Sequence, residues 1–402
     1  MARVTKPTKE KSPLKCSISL YRLQFSPTIS KAGGLPPLPC PDLKFSMTET
    51  PFHAENAFTA PLIAKLKKHP KRIVFPEPDD RRVLLVAQEL ASREISAPIL
   101  LGKRDHLQKR AKKEGISLDM VGIIDPETSV ELPRFAGWFE KMERYRKMKV
   151  THPEDVMKRP DYFGAMMVQY GAADGIVGGN CVYPEAFFRP LFHMIRPQSH
   201  CSSVASCMAV VDENNPVLGG AGILFLADCA IIPEPNVEQL AMIAVESGRL
   251  ATTLLDRKAR VAMLSYSTRG SAKTAHSQKV VAAVAAARKR ARDEAVDIEI
   301  DGEFQVDVAL DATSAERKGV HSLVAGKADV LVFPDLNSAN IASKLLVMGA
   351  NPQAYGQLLL GLARPAAQVS RVATPETIFG TSVAVGVEAI KYRELIADEH
   401  QS

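Results

Sequence analysis

From residue 57 onward, short β-branched runs alternate with segments of helical period, and this alternation constrains the fold more than any other feature. The runs are "RIVFPEP", "APILLG", "VGIID", "DGIVGG", "RVAMLSYS", "VDVALD" and "DVLVFPD", each closing on Gly, Pro, Asp or Ser. Between them, "DDRRVLLVAQELASREI" places apolar residues three and four apart, with Asp79 or Asp80 available as N-cap. "KRDHLQKRAKKEG" reads as a polar helix. Strands of this kind separated by helices imply an α/β fold with a mostly parallel sheet. No fixed-period repeat is visible. The longest strongly apolar segment, "AGILFLADCAII", is interrupted by Asp228 and reads as a buried strand or helix. It is too short to span a bilayer, which needs about 20 apolar residues.

A length of 402 residues suggests two domains. The net charge of +6 resides wholly in residues 1–46, which hold eight Lys/Arg against two acids. The remainder is balanced, which argues against a nucleic-acid surface. Residues 1–46 also carry seven prolines and no periodicity, so they read as a basic, disordered extension. Either an organelle transit peptide or a start upstream of Met47 accounts for such a segment. The basic runs "KLKKHPKR" (Lys65–Arg72) and "RKRAR" (Arg288–Arg292) read as solvated helix faces. Six cysteines, at 16, 40, 181, 201, 207 and 229, form no CxxC and show no zinc spacing, so free thiols are expected.

In parallel sheets, ligands gather beyond the carboxyl ends of the strands. Three polar loops follow strands here. "FPEPDDRR" offers Glu77, Asp79, Asp80 and Arg81. "SYSTRGSAK" offers Ser267, Thr268 and Gly270 before a helix, a composition suited to binding an anion through backbone N–H groups. The same composition serves an ordinary turn and cap. "VFPDLNSANIASKLL" offers Asp335, which caps a helix start. Neither GxGxxG nor GxxxxGK[ST] occurs, so a nicotinamide site or P-loop is unsupported.

Taken in order, the segments "VFPEPDDRRVLLVA", "YRKMKVTHPED", "ADGIVGG" with "FRP" beyond it, "ADCAIIPEPNVEQLAMIAVESG", "VAMLSYSTRGSA", "GEFQVDVALD", "VAGKADVLVFPDLNSANI" and "LLLGLARPAAQVSR" are specific in combination. They run from about residue 60 to 390, and with them the sequence resembles the phosphate acetyltransferase/phosphate butyryltransferase family. The resemblance implies a two-domain fold similar to isocitrate dehydrogenase, with a cleft between the domains. Carried onto this chain, residues 1–47 are the basic extension. Residues 48–200 plus 356–402 form domain I, and 201–355 an inserted domain II. It also implies homodimers, a cytoplasmic location (an organelle if the extension is a transit peptide), and no partner in membranes or nucleic acids.

The implied chemistry is reversible acyl transfer, acetyl first of all, between coenzyme A and inorganic phosphate. A CoA thiolate attacks the carbonyl of an acyl phosphate, and CoA and acyl-CoA are substrates rather than bound cofactors. The reaction needs cations around phosphate and donors for a developing oxyanion, and no metal is expected. The resemblance places Ser370, Arg371 and Arg189 as catalytic, and Arg146, Ser267, Thr268 and Gly270 as substrate-binding. A guanidinium suits phosphate oxygens; read without the family, each arginine is a surface charge. Three positions depart from the family pattern. Its Asn-Asp before Ser-Arg is matched by Ala367 and Gln368, and its loop after DGxVxG reads "NCVYPEAFF". Its aspartate base is matched by Thr377, which leaves Glu376 as the possible base, on a helix face about 100° away. The alternative is a weakly active or inactive acyl-CoA-binding regulatory protein of the same fold. A dehydrogenase of that fold lacks its nucleotide signatures here.

Overall fold

The computed structural model describes residues 55–145, 152–215, 218–219 and 222–399. The basic extension and Arg146 lie outside the described residues. The first part of the chain supplies α1 (Thr59–Lys68), β1 (Arg72–Phe75), α2 (Arg81–Ser92), β2 (Ala97–Leu101), α3 (Arg104–Lys113) and β3 (Gly122–Ile124). It continues through α4 (Leu132–Tyr145), α5 (Pro153–Met157), α6 (Pro160–Gln169), β4 (Gly175–Gly178) and α7 (Pro184–Met194). The middle supplies β5 (Ala205–Val211), β6 (Ile223–Ala227), α8 (Val237–Leu255), β7 (Ala259–Leu264) and α9 (Ala275–Asp293). There follow β8 (Ile298–Phe304), α10 (Val306–Leu310), α11 (Ala312–Arg317), β9 (Val330–Val332) and α12 (Leu336–Ala350). The chain then returns with β10 (Gln353–Leu360), β11 (Ala366–Gln368) and α13 (Pro375–Glu399).

The strands form one eleven-stranded mixed sheet in the order β3-β2-β1-β4-β11-β10-β5-β6-β9-β7-β8. The run from β3 to β11 is parallel, as is the run from β6 to β8. Between them, β10 and β5 pair antiparallel with each other and with their outer neighbours. Alternation along each strand decides which core a side chain enters. Ile73 and Phe75 of β1, Cys207 and Ala209 of β5, and Val261 and Met263 of β7 face one continuous core under α1, α2, α8, α9 and α13. On the other face Val74 meets α4, α6 and α7, whereas Met208 and Ala262 meet α10, α11 and α12.

Local signals start the helices. Asp80 accepts from Arg82 N, and Asn236 and Thr274 form reciprocal capping boxes with Gln239 and Ser277. Gly248 lets α8 lie on the sheet, because a Cβ there would sit 2.9 Å from Ile298 and Val261 side chains. Four expectations need correction. "VDVALD" is the helix α10 rather than a strand, closed by Ala309 N donating to Gln305 O. The run "RKRAR" is only partly a solvated face: Lys289 is exposed, whereas Arg288 turns to Asp301 and Arg290 to Glu294. In "KLKKHPKR" Lys67 and Lys68 are solvated, and Arg72 is drawn onto the buried Asp174. Free thiols are found at Cys201, Cys207 and Cys229, but Cys181 is disulfide-bonded.

Candidate active site

Strands β1, β4 and β11 run parallel side by side, so the loops that leave them, residues 76–80, 179–183 and 369–374, share one edge of the sheet. Each leads directly into a helix: α2 at Arg81, α7 at Pro184 and α13 at Pro375. Proline at the first helical position of α7 and α13 needs no N–H partner. Val369 N donates to Gly178 O at 2.8 Å, the last sheet bond before Ser370.

Acidic side chains of the first loop knit the other two in place. Glu77 accepts from the backbone N–H groups of Gly179, Asn180 (2.9 Å) and Cys181 (3.1 Å). Burial pushes its carboxyl up to about 7, although the three donors pull the other way. Asp80 and Arg82, each 5% exposed, form a buried ion pair. Arg82 Nη1 donates to Arg371 O at 2.8 Å and to Ala373 O at 2.6 Å, and Nη2 donates to Asn180 O at 3.2 Å. Asn180 Nδ2 closes the ring on Asp80 at 2.9 Å. One buried guanidinium therefore holds carbonyls of two neighbouring loops, on either side of Val372. Ser370 is exposed, and its hydroxyl lies 3.4 Å from Val372 N. The Arg371 guanidinium lies over the Tyr183 ring, 4.4 Å from its centroid. A cavity of about 280 Å³ opens beyond β1, β2 and β3, lined by Glu77, Asp79, Lys103, His106, Glu127 and Lys158.

Of the residues expected at a site, Ser370 and Arg371 stand at this edge. Arg189 is on α7, just beyond Tyr183, with its guanidinium paired to Glu185 at 2.8 Å in solvent. Glu376 lies in the first turn of α13, half-buried. It is near enough to Tyr355 to help push that phenol, itself raised chiefly by burial, to about 12. Thr377 N donates to Thr374 Oγ1 at 3.3 Å, a local cap at the helix start. The structure does not bring Ser267, Thr268 and Gly270 to the same edge. Strand β7 runs against β11, and its loop leaves the opposite edge. Their donors are already spent: Ser267 Oγ and Gly270 N both donate to Glu303 Oε1 at 2.8 Å. The protein's own carboxylate fills the anion-binding turn. Sequence reasoning singled out Glu77 and Asp80 but not Arg82, Asn180 or Tyr183.

The family model described as "Phosphate acetyl/butaryl transferase" matches residues 57–385. The phosphate acetyltransferase of Thermoanaerobacterium thermosaccharolyticum is 36% identical over 328 residues, covering 82% of this chain and 98% of its own length. That of Acetivibrio thermocellus is 34% identical over 333 residues, covering 83% and 98%. A phosphotransacetylase structure from Staphylococcus aureus superposes with a TM-score of 0.74 at 32% identity, covering 82% of this chain and 99% of that one. One from Streptococcus pyogenes gives 0.75 at 31%, covering 82% and 97%. With a family match over most of its length and relatives above 30% identity along nearly their whole chains, this chain belongs to the phosphate acetyl/butyryl transferase family.

Proposed function

We propose that this chain catalyses reversible transfer of an acetyl group between coenzyme A and inorganic phosphate. A CoA thiolate forms the new C–S bond at the carbonyl carbon of acetyl phosphate. The C–O bond to phosphorus breaks, phosphate leaves with the electron pair, and the thiol proton passes to solvent. CoA is substrate, and no further cofactor belongs to the reaction. The observation that carries the reading is the Ser370-Arg371 pair, presented at parallel strand ends by the buried Arg82 brace. In it, Arg371 takes the phosphate or carbonyl oxygen and Ser370 stands near the reacting atoms. Arg189 swings from Glu185 to the phosphate, and Arg146 is a further substrate-binding residue. Ser267 and Gly270 serve the substrate only if Glu303 gives up its donors, and Thr268 only if Ser271 and Gln305 do. Glu376 is the one carboxylate beside the position held by Thr377.

The same reading divides the body into residues 48–200 plus 356–402 and 201–355, in the manner of isocitrate dehydrogenase, with the substrates in a cleft between them. The strand order supports that division: β5 to β9 lie together on one side of β10. A homodimer through the second part is supported by α12, whose Ile341, Leu345 and Met348 are 59%, 68% and 84% exposed along one face. We place the enzyme in the cytoplasm; among the described residues no helix is long and apolar enough to cross a membrane. The test is thioester formation by purified protein from CoA and acetyl, propionyl and butyryl phosphate. Turnover fastest with acetyl phosphate supports the proposal. CoA binding without turnover on any of the three overturns it in favour of an acyl-CoA-binding regulator.

A further inference from the structure

We propose that His200, Cys201 and Glu246 form a zinc site that clips the turn before β5 to helix α8. The three ligand atoms, an imidazole nitrogen, a thiol sulfur and a carboxylate oxygen, lie within 4.8 Å of one another. His200 Nε2 stands 3.3 Å from Glu246 Oε1. Tetrahedral zinc with ligand distances of about 2.0–2.3 Å sets its ligand atoms about 3.3–3.7 Å apart, so this pair already has the required spacing. Glu246 and Cys201 are buried, whereas the His200 side chain is 37% exposed and opens the way in. Adjacent residues 200 and 201 reveal nothing as a motif, because the third ligand arrives from the middle of α8. Imidazole with thiolate selects zinc over calcium or magnesium, and three protein ligands leave the fourth position to water.

The surroundings decide the charge balance. Arg249 of α8 lies 3.3 Å from Glu246 and 2.8 Å from Glu294, and Arg290 of α9 lies 2.7 Å from Glu294 and 3.8 Å from Cys201 Sγ. Two guanidinium groups thus face two carboxylates. Glu388 of α13 also faces Glu246, and its buried Oε2 has no hydrogen-bond partner. With Glu388, three carboxylates and the Cys201 sulfur surround the two guanidinium groups, so a dication here is met by acidic groups on α8, α9 and α13.

The experiment titrates chelator-stripped, full-length protein with Co²⁺, followed by its thiolate charge-transfer absorption, and then displaces the cobalt with Zn²⁺. One equivalent binds in the wild type, measured by calorimetry and by the absorption titration. Cys201→Ser abolishes the thiolate band. His200→Ala, an exposed change that leaves the fold intact, weakens binding at least about tenfold. A wild type that binds only at millimolar cobalt, or a thiolate band that survives Cys201→Ser, overturns the site.

Discussion

Arg82 makes the most exacting test of how the site is built. Arg82→Met leaves Asp80 as a buried, unpaired carboxylate and strips donors from the carbonyls of Arg371, Ala373 and Asn180. Breaking a buried ion pair on one side costs about 3–5 kcal/mol, a large part of the ~5–15 kcal/mol that holds a domain folded. The companion variant Asp80→Asn/Arg82→Met removes the stranded charge and keeps an N-cap, since Asn caps as well as Asp. Most of the stability should return, leaving a deficit of about 1–2 kcal/mol for the unmade hydrogen bonds. Activity should not return with it. The turn bearing Ser370 and Arg371 loses both anchoring bonds, and a misplacement of about 1 Å costs on the order of 10²-fold in turnover. Urea unfolding and steady-state kinetics on the single and double variants separate the two effects. A double variant with restored stability and wild-type kcat refutes the assignment of Arg82 as a positioning residue.

Arg371→Ala should lower kcat by about 10²-fold or more if the guanidinium meets charge that grows in the transition state, with Arg371→Lys recovering only part; a change confined to KM shows ground-state binding instead. Thr377→Asp should raise turnover at subsaturating CoA, and Glu376→Gln should cost less than the roughly 10²-fold of a lost general base; a loss of that size in Glu376→Gln makes Glu376 the base. Burial pushes the Glu388 carboxyl from its ordinary 4.5 up to about 8 in the folded protein. Between those pH values the folded state holds more protons than the unfolded one, so in metal-free protein this group's contribution to stability declines as pH rises from about 4.5 to 8. Glu388→Gln should flatten that slope and raise the urea midpoint above pH 8; a lower midpoint there would show that the ionised carboxylate has a partner.

Much of the scaffold was legible because β1, β2, β4 and β7 are β-branched runs with abrupt polar endings. Strand β5, "ASCMAVV", and β10, "QAYGQLLL", were harder. Small residues, Cys, Met and an internal glycine carry weak strand preference, and only pairing with neighbours makes them strands. "VDVALD" misled in the other direction, since two valines and a leucine at alternate spacing also fit a single helical turn. At the site, the loop after β1 could be named from its polar composition, whereas those after β4 and β11 were marked only by the resemblance to the family. Arg82 could not, because a second arginine in "DDRR" reads as a solvent charge until the carbonyls 289 and 291 positions later are seen to receive it. The "SYSTRGSAK" turn shows the converse: its donors are disposed for an anion, and Glu303 is the anion.

The place of β10 and β11 in the middle of the sheet sets an order of events during synthesis. These two strands lie between β4 and β5 in space, yet they are the last to be made. Until they emerge, β4 and β5 each present a strand edge with no neighbour, and the two halves of the sheet have nothing to join them. Translation at about 5–20 residues per second leaves those edges open for about 8–30 s after β5 is complete. Open apolar edges recruit other chains, so crowded polysomes are where this protein is most vulnerable. A stop codon just before Gln353 would spare nine of the eleven strands and still release a chain unable to close its sheet.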